Sequence, residues 1–332
     1  MKLMTSLAAS LLLAGTLSNA HAEEATTGMM RAAVVTDGNV KIESVPIPMA
    51  RDGEVRVRVR AASVNPVDWK IAARNPRLPY VAGRDMAGVI DAVGENVKDW
   101  KVGDEVIAIS ASGSYAEYAT ARIDTIARKP ANLSFEEAAG IPIVGETAWR
   151  AIVTAADVKP GQRVLIHGGA GGVGSSAVQI ASARGAHVIA TASERNHEFL
   201  RSIGADETID YNTTRFEDRV KNADVVVNTV NAETGQRSIA TLKRGGVLVS
   251  VVGPTADAAC RAAQIRCVET GLVNGNLLGE LSKLADEGKF KVHVDEVLPL
   301  DEVAKAWDMN RGRHTRGKLV LTIAPATAQT PK

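Results

Sequence analysis

The chain has little of what a structural metal site is made from. Its 332 residues include two cysteines and six histidines. A tetrahedral zinc site needs three or four cysteine, histidine or carboxylate ligands brought together, and the histidines do not stand at ligand spacing. We therefore expect no metal. Cys260 and Cys267 lie seven positions apart and allow two interpretations: a disulfide in an oxidising compartment, or two small core thiols. We favour the thiols, because Cys267 falls in a predicted strand.

The chain also lacks an excess of charge of one sign. It carries 39 lysines and arginines against 38 aspartates and glutamates, so its charge gives no reason to expect nucleic acid or an anionic membrane as a partner. The apolar run from Leu7 to Leu13 is too short to cross a membrane, and no integral membrane segment is expected once the leader is removed. A hydrophobic content of 45% and a charged content of 23% are typical of a globular enzyme.

Residues 1–22 have the layout of a secretory signal peptide. Lys2 precedes the apolar run, and an A-x-A cleavage site ends at Ala22. We predict cleavage after Ala22 and a periplasmic or secreted protein, exported unfolded and without cofactor because no twin arginine is present. The alternative is a cytoplasmic protein whose true start is Met29 or Met30.

Two different sequence patterns follow the leader. Residues 29–148 contain short strands separated by glycine-containing turns, as in 54–61, where valines alternate with arginines. This pattern predicts an antiparallel β domain, a small barrel. Within 149–294 apolar strands alternate with helices, which predicts a doubly wound parallel sheet. The segment 295–324 holds a last helix and strand, and 325–332 is a polar tail that we expect to be flexible.

The stretch from Val164 to Gly185 carries the strongest functional signal. A short apolar strand leads into a glycine-rich turn and then into a helix of small residues. The turn fits G-x-G-x-x-G, whose glycines permit a tight turn, close approach to a pyrophosphate and close packing of helix and strand. The unpaired N–H groups of the helix then face the phosphates. The predicted cofactor-binding residues of this turn are Gly169, Ala170, Gly171, Gly172, Val173 and Gly174.

Specific strings extend over nearly the whole mature chain: Asn65-Pro-Val-Asp68, Gly83-Arg-Asp-Met-Ala-Gly88, Thr147-Ala-Trp149, Ala170-Gly-Gly-Val-Gly174 and Gly317-Lys-Leu-Val320. With the domain order, they make the sequence resemble the medium-chain dehydrogenase/reductase superfamily, in its zinc-free quinone oxidoreductase (zeta-crystallin-like) branch. The resemblance implies an α/β protein in which a GroES-like antiparallel barrel (29–148, completed by 295–324) precedes a Rossmann domain (149–294). It also implies a homodimer formed through the edge of the Rossmann sheet.

The resemblance bears on the metal as well. Zinc alcohol dehydrogenases of the superfamily have a cysteine where this chain has Asn65, and the string Gly-His-Glu where it has Gly83-Arg84-Asp85. Two zinc ligands are therefore missing. For Arg84 and Asp85 we favour an ion pair that holds the cleft over a catalytic role.

The resemblance also assigns the dinucleotide. Ser193 and Arg195 match positions that bind the 2′-phosphate of NADP, and Tyr211 matches a tyrosine that packs there. The alternative is that Ser193 only caps a helix and that Arg195 is a solvated side chain. We favour NADP(H) over NAD(H). Gly253 and Arg313 complete the predicted cofactor-binding residues.

Three residues are predicted to act in catalysis. Asn65 has an amide that suits donation to the substrate or to the nicotinamide ribose, and Thr147 matches a family residue beside the nicotinamide. Lys70 falls where related reductases often carry a tyrosine, so it is our candidate proton donor or carbonyl polariser. Asp68 is expected to orient the loop as a hydrogen-bond acceptor rather than to act as a base.

Two departures from the family pattern flank the expected cleft. Glu146 stands where relatives have a hydrophobic residue, which predicts a charge near the nicotinamide. Asn228 and Asn231 interrupt the usual pattern after the fourth strand of the Rossmann domain. Both departures predict altered cofactor affinity or an altered substrate.

The sequence thus predicts a zinc-independent, NADPH-dependent oxidoreductase that transfers hydride to quinones or to the C=C bond of small α,β-unsaturated carbonyls. One alternative is an enoyl-thioester reductase of the same superfamily, with Tyr80 as the nearby candidate proton donor. Another is an exported dinucleotide-binding protein with little turnover.

Overall fold

The computed structural model describes residues 28–74, 78–253, 257–271 and 273–323. The predicted signal peptide and the tail at 325–332 lie outside the described residues. Among the described residues, no helix is both long enough and apolar enough to cross a membrane.

The strands of the described residues are β1 (Met29–Thr36), β2 (Asn39–Pro46), β3 (Glu54–Ser63), β4 (Tyr80–Val81), β5 (Asp85–Val93), β6 (Glu105–Ile109), β7 (Tyr118–Arg122), β8 (Ile126–Arg128), β9 (Arg163–His167), β10 (His187–Ala192), β11 (Glu207–Asp210), β12 (Ala223–Asn228), β13 (Leu242–Ser250), β14 (Arg266–Glu269), β15 (Val294–Pro299) and β16 (Lys318–Thr322). The α-helices are α1 (Pro66–Ala72), α2 (Phe135–Ala139), α3 (Pro142–Trp149), α4 (Gly172–Ala183), α5 (His197–Ser202), α6 (Phe216–Arg219), α7 (Ala232–Ser238), α8 (Asp257–Ala262), α9 (Leu278–Asp286) and α10 (Val303–Arg311).

The first domain is built on a sheet in the order β15-β16-β3-β5-β6-β8, with β7 also paired to β3. Strand β3 shows why the alternating sequence folds this way, since Val55, Val57 and Val59 are buried and Arg58 between them is exposed. All pairings are antiparallel except that of β15 with β16. The two last strands of the described chain therefore join the first domain. A separate sheet, β2-β1-β4, lies beside it.

The second domain contains a parallel sheet in the order β11-β10-β9-β12-β13-β14. Counted from β9, this is the 3-2-1-4-5-6 order of the Rossmann fold. Val164, Leu165 and Ile166 of β9 are fully buried, as expected for a central strand covered by helices on both faces. The prediction of an antiparallel domain plus a doubly wound parallel sheet is confirmed. In such a sheet the ligand crevice lies where the strand order reverses, here between β9 and β12.

The expectation of two free thiols is wrong. Cys260 of α8 and Cys267 of β14 form a disulfide, with Cα atoms 6.1 Å apart. The physical reason is local, because Gln264 adopts a left-handed conformation and turns the chain so that the strand runs back beside the helix. Cys260 is buried and Cys267 is half-buried. The bond fastens β14, the edge strand, to the helix that precedes it.

Candidate active site

A cavity of about 790 Å³ lies between the two domains. On the Rossmann side it is bounded by the glycine turn and by the loops that follow the carboxyl ends of β9, β10, β11 and β12. On the barrel side it is bounded by the start of α1, by α3 and by the segment around 310–318. The cavity is thus at the crevice that the strand order predicts.

Most predicted cofactor-binding residues line this cavity: Ala170, Gly171, Gly172, Val173, Gly174, Ser193, Arg195, Tyr211 and Arg313. Gly169 and Gly253 do not. A Cβ on Gly169 would lie 3.0 Å from the Ala190 Cβ and 3.2 Å from Leu200, so this glycine lets the turn pack on the sheet. Gly253 has a φ of +119°, and its carbonyl accepts a hydrogen bond from the Ser250 hydroxyl. Neither residue lines the cavity, and direct cofactor binding by them stays a prediction.

Two glycines of the turn, Gly172 and Gly174, leave no room for a side chain. A Cβ on Gly174 would overlap the carbonyl oxygen of Gly168, and a Cβ on Gly172 would lie 2.9 Å from Val144. Helix α4 begins at Gly172, so its first N–H groups are unpaired within the helix and lie at the cavity wall. This is the cradle that a pyrophosphate group requires.

The charges around the cavity are of one sign. Among the described residues that line it, the charged side chains are Lys70, Arg195, Arg237, Arg313 and Lys318, and there is no aspartate or glutamate. Arg237 and Lys318 are compensated by Glu217 and Asp85 behind the wall, so Arg195 and Arg313 are the cations that favour an anionic ligand at the Rossmann side. The glycine turn and the cations together fit a phosphorylated dinucleotide.

The residues expected at the 2′-phosphate lie together. Ser193 follows β10 and Tyr211 follows β11, and these strands pair so that Ala192 stands beside Asp210. The guanidinium of Arg195 donates to the backbone carbonyl of His314 at 3.1 Å. The Ser193 hydroxyl accepts from the Asn196 side chain at 3.1 Å and makes no helix-capping bond, so it does not serve only as a cap.

An arginine that sequence reasoning missed supports this corner from the first domain. Arg316 donates from Nε to the Asn196 Oδ1 at 2.8 Å and from Nη2 to the backbone carbonyl of Arg195 at 3.2 Å. These bonds fix the loop after β10 against the segment before β16. The side chain itself does not line the cavity, and no local pattern marks a contact made across more than a hundred residues.

Asn65 lines the other end of the cavity, but its amide already has partners. Its Nδ2 donates to the Asp85 Oδ2 at 2.8 Å and to the Ser63 carbonyl at 3.5 Å, and its Oδ1 accepts from the Lys318 Nζ at 2.6 Å. Asp85 also accepts from the hydroxyl of Ser63 and from the backbone N–H of Ile143. The predicted role of Asn65 as a donor to the ligand is therefore corrected: in this structure the side chain links two buried charges.

The expectation that Arg84 and Asp85 form an ion pair is also wrong, since no such pair is present among the described residues. Neighbours in a strand point to opposite faces of the sheet, and the fully buried Asp85 instead faces Lys318, whose Nζ lies 4.0 Å from Oδ2. Burial raises the pKa of Asp85, while Lys318 and the hydrogen bonds from Asn65 and Ser63 oppose the rise. Lys318 was missed as a site residue, although its position at the head of an apolar strand was a visible signal.

Thr147 and Lys70 both line the cavity. Thr147 is buried in α3, and its hydroxyl donates to the backbone carbonyl of Ile143 at 2.6 Å, which leaves the oxygen able to accept from a ligand. Lys70 is exposed on α1, with Nζ 5.5 Å from the centre of the Trp69 ring. Tyr80, the candidate donor of an enoyl-thioester reductase, does not line the cavity.

Asp68 is the loop-orienting acceptor that the sequence predicts. Its Oδ2 accepts from the backbone N–H of Asn65 at 2.8 Å and from the hydroxyl of Tyr115 at 2.6 Å. Desolvation by burial raises the pKa of Asp68 from 3.8 to about 7, with a smaller contribution of the same sign from Asp85. The acid therefore belongs to the framework behind Asn65, outside the cavity wall.

Glu146 does not bring a charge to the nicotinamide end, so that expectation is wrong. The fully buried carboxylate pairs with Arg150 at 2.8 Å and accepts from the backbone N–H groups of Asn274 and Gly275 at 3.0 and 2.7 Å. It holds the 274–276 loop against α3. It is absent from the described cavity wall.

Asn228 and Asn231 shape the loop after β12. The Asn228 side chain donates to the Asn231 carbonyl at 2.7 Å and accepts from the Val230 N–H at 3.1 Å, while the Asn231 side chain caps α7 at Thr234. The residues between them line the cavity. These asparagines therefore fix the conformation of the loop that forms this part of the cavity wall, and they do not themselves line the cavity.

Comparison with known proteins agrees with this architecture. A model of the alcohol dehydrogenase GroES-like domain matches residues 51–131, a zinc-binding dehydrogenase model matches 203–321, and a model of the alanine dehydrogenase/PNT C-terminal domain matches 144–252. A 2-methylene-furan-3-one reductase of Solanum lycopersicum is 37% identical over 93% of this chain and 84% of its own length. The chain belongs to the medium-chain dehydrogenase/reductase family. It is an oxidoreductase with a GroES-like and a Rossmann domain.

Other family members are similar over most of their length. An NADPH-dependent alkenal/one oxidoreductase of Arabidopsis thaliana is 36% identical over 92% of this chain and 83% of that protein. The structure of the quinone oxidoreductase of Coxiella burnetii superposes with a TM-score of 0.83 at 34% identity, over 89% of this chain and all of that one. NADP(H) is the cofactor that the family members and the cavity support.

One matching family model is described as a zinc-binding dehydrogenase. A bound zinc ion would need a set of ligands that the described residues of this site do not provide. Within the described ranges, no group of three or more histidines, cysteines, aspartates and glutamates is placed to hold a metal ion. Asn65 Oδ1, the oxygen at one former ligand position, is bound by the Lys318 ammonium at 2.6 Å. This oxygen therefore serves as an acceptor for a cation that the chain itself provides.

We predict that Asp68→Asn flattens the pH dependence of stability. Because the pKa of Asp68 is about 7 in the folded protein and 3.8 ordinarily, folding takes up a proton between these values. The free energy of unfolding should therefore fall as pH rises from 3.8 to about 7, by up to about 4 kcal/mol. Urea unfolding of both proteins across this range measures the effect, with the exposed Asp37→Asn as control. Parallel curves for the wild type and Asp68→Asn would contradict the prediction.

Proposed function

We propose that the protein is a zinc-independent, NADPH-dependent reductase of quinones and of the C=C bond of small α,β-unsaturated carbonyls. The observation that carries the proposal is the cleft itself, in which a glycine turn at a helix N-terminus and five cationic side chains face one cavity without a carboxylate. The similarity to an alkenal/one oxidoreductase and to a quinone oxidoreductase supports the class of acceptor.

The chain's own residues supply binding and orientation. The N–H groups at the start of α4 would hold the pyrophosphate, and Ser193, Arg195 and Arg313 the 2′-phosphate. Bound there, the reduced nicotinamide supplies a hydride. Thr147, the segment that follows β3 and the first residue of β16 form the wall against which the acceptor is placed, and the acceptor takes its proton from water in the open cleft.

The assay compares the mature chain with NADPH and NADH, using a naphthoquinone, an acrolein-type enal and a crotonyl thioester as acceptors. We expect oxidation of NADPH with the first two. Oxidation with the thioester alone would support the enoyl-thioester reductase instead. Binding of NADPH without turnover on any acceptor would support a dinucleotide-binding protein.

Arg195→Ala tests the choice of dinucleotide. A charge-assisted hydrogen bond contributes about 1.5–3 kcal/mol, so we expect the KM for NADPH to rise by at least tenfold, a factor that corresponds to about 1.4 kcal/mol, while kinetics with NADH change little. The control is Arg201→Ala, because Arg201 contacts Thr208 and lies outside the cavity. Equal use of both dinucleotides by the wild type, unchanged in Arg195→Ala, would refute the assignment.

We also propose that the protein is exported to the periplasm or secreted, with cleavage after Ala22. The leader pattern supports this, and so does the Cys260–Cys267 disulfide, because disulfides persist in oxidising compartments. Mass spectrometry of protein from the fractionated host should give an N-terminus at Glu23, and thiol titration after denaturation should find no free cysteine. A terminus at Met29 or Met30 with two reactive thiols would contradict export.

A homodimer through the edge of the Rossmann sheet is our third proposal. Strand β14 ends the sheet order and pairs only with β13 among the described strands, so one side of its backbone is available to a second copy. Light scattering of the purified protein should give about twice the mass of one mature chain. Arg266→Pro in β14 should shift the mass to that of a monomer; a monomeric wild type would contradict the proposal.

A further inference from the structure

Lys318 is a buried lysine in the wall of the cleft. It is the first residue of β16, is 3% exposed and lines the cavity. Its Nζ donates to the backbone carbonyl of Val64 at 2.7 Å and to the Asn65 Oδ1 at 2.6 Å. Burial lowers the pKa of Lys318, while Asp85 and Asp68 act in the opposite direction. The ammonium is thus held in place by hydrogen bonds and by charge.

One of its three N–H groups has no acceptor among the described residues. An ammonium has three donors, and two are used by Val64 and Asn65. The nearest carboxylate oxygen, on Asp85, is 4.0 Å away, which is close enough to compensate charge but too far for a hydrogen bond. A buried donor without a partner is costly. The third N–H is therefore available to a ligand in the cleft.

The position of Lys318 is fixed from both domains. The backbone N–H of Gly317 donates to the carbonyl of Ala170 at 2.8 Å, and Gly317 and Gly171 form a parallel bridge. A Cβ on Gly172 would lie 3.0 Å from the Lys318 Cδ. The side chain therefore runs beside the phosphate turn and ends at the start of α1, at the barrel end of the cavity.

We propose that Lys318 is a catalytic residue whose third N–H donates to the carbonyl oxygen of the acceptor. The inference rests on the proposed function. When a hydride adds to the conjugated carbon, a new C–H bond forms, the C=C electron pair moves to bond the α-carbon to the carbonyl carbon, and the C=O pair moves onto oxygen. Lys318 stabilises that oxyanion and keeps its own proton. Water then protonates the α-carbon, or the oxygen of a hydroquinone.

Lys318 suits this role better than Lys70. The Lys70 ammonium is exposed on α1, where water screens its charge and it must be ordered before it can act. The Lys318 ammonium is already fixed in a water-poor wall, and a preorganised donor contributes more to stabilising a transition state. Asp85 keeps the lysine charged without taking up the third N–H.

The first test removes the charge pair as a unit. Lys318→Met alone would leave Asp85 buried without a cation, so the decisive variant is Lys318→Met with Asp85→Asn, compared with Asp85→Asn alone. With an enal acceptor we expect kcat of the double variant to fall about 100-fold or more relative to Asp85→Asn. The Kd of NADPH, from fluorescence titration, should change less than about threefold, because the groups that hold the phosphates, the start of α4 with Ser193, Arg195 and Arg313, are the same in both variants. Lys318→Arg should recover part of kcat, and the exposed Lys305→Met should match the wild type.

A second measurement does not depend on turnover. p-Nitrophenol, added to the complex with NADP⁺, carries an oxygen whose ionisation is visible in its absorption spectrum. We expect the bound phenolate fraction to be larger for Asp85→Asn than for the double variant. The proposal is overturned if the double variant keeps kcat within about twofold of Asp85→Asn, or if both bind the phenolate alike. If the wild type reduces no acceptor, the proposed function fails, and the phenol titration still decides whether Lys318 stabilises an oxyanion.

Discussion

The contact of the 317–318 segment with the glycine turn is the interaction on which the site depends. Gly317 bridges to Gly171 and donates to Ala170, so the last described strand of the barrel is fastened to the first crossover of the Rossmann sheet. The cleft is therefore not an adjustable gap at this point. Its two walls share a backbone hydrogen bond, and the side chain that follows Gly317 reaches the barrel end of the cavity from there.

A small set of buried charges depends on that contact. Asp68, Asp85 and Lys318 are all almost inaccessible to solvent, and taking such charges out of water is costly unless each is paired or hydrogen-bonded. Asn65 solves part of the problem by donating to Asp85 and accepting from Lys318. Asp68 forms no ion pair with a cation among the described residues, and burial raises its pKa. The observed loop arrangement gives each of these buried groups a hydrogen bond, since Asn65 bonds both Asp85 and Lys318 and its backbone N–H donates to Asp68.

Local patterns in the sequence predicted the two sheets and the phosphate turn. Alternating valines in β3 and glycines spaced around 169–174 act over a few residues, so their consequences are visible in sequence. Even there, Gly169 packs against the sheet where a ligand contact was predicted. Composition was equally unable to decide the state of the cysteines, because their pairing depends on the turn at Gln264 between them.

The chemistry at the far end of the cleft was harder to predict because it is built from distant parts of the chain. Asn65 and Lys318 are 253 positions apart, and no periodicity brings them together. The amide of Asn65 has the right chemistry to bind a ligand, but its hydrogen-bonding capacity is used by charges that only the fold reveals. Glu146 was misplaced for the same reason, since its partners Asn274 and Gly275 lie far along the chain.

The same network explains how a family with metal-dependent members accommodates a site without such ligands. A metal ion at this end of the cleft would bind oxygen or nitrogen lone pairs, but the Asn65 Oδ1 and the Val64 carbonyl are already occupied by an ammonium. A second cation there would repel Lys318 and displace it from both acceptors. A lysine held in this way provides positive charge at a fixed point and needs no ligand exchange. Hydride addition to a conjugated acceptor requires stabilisation of one developing oxyanion, and a single fixed cation with an available N–H meets that requirement.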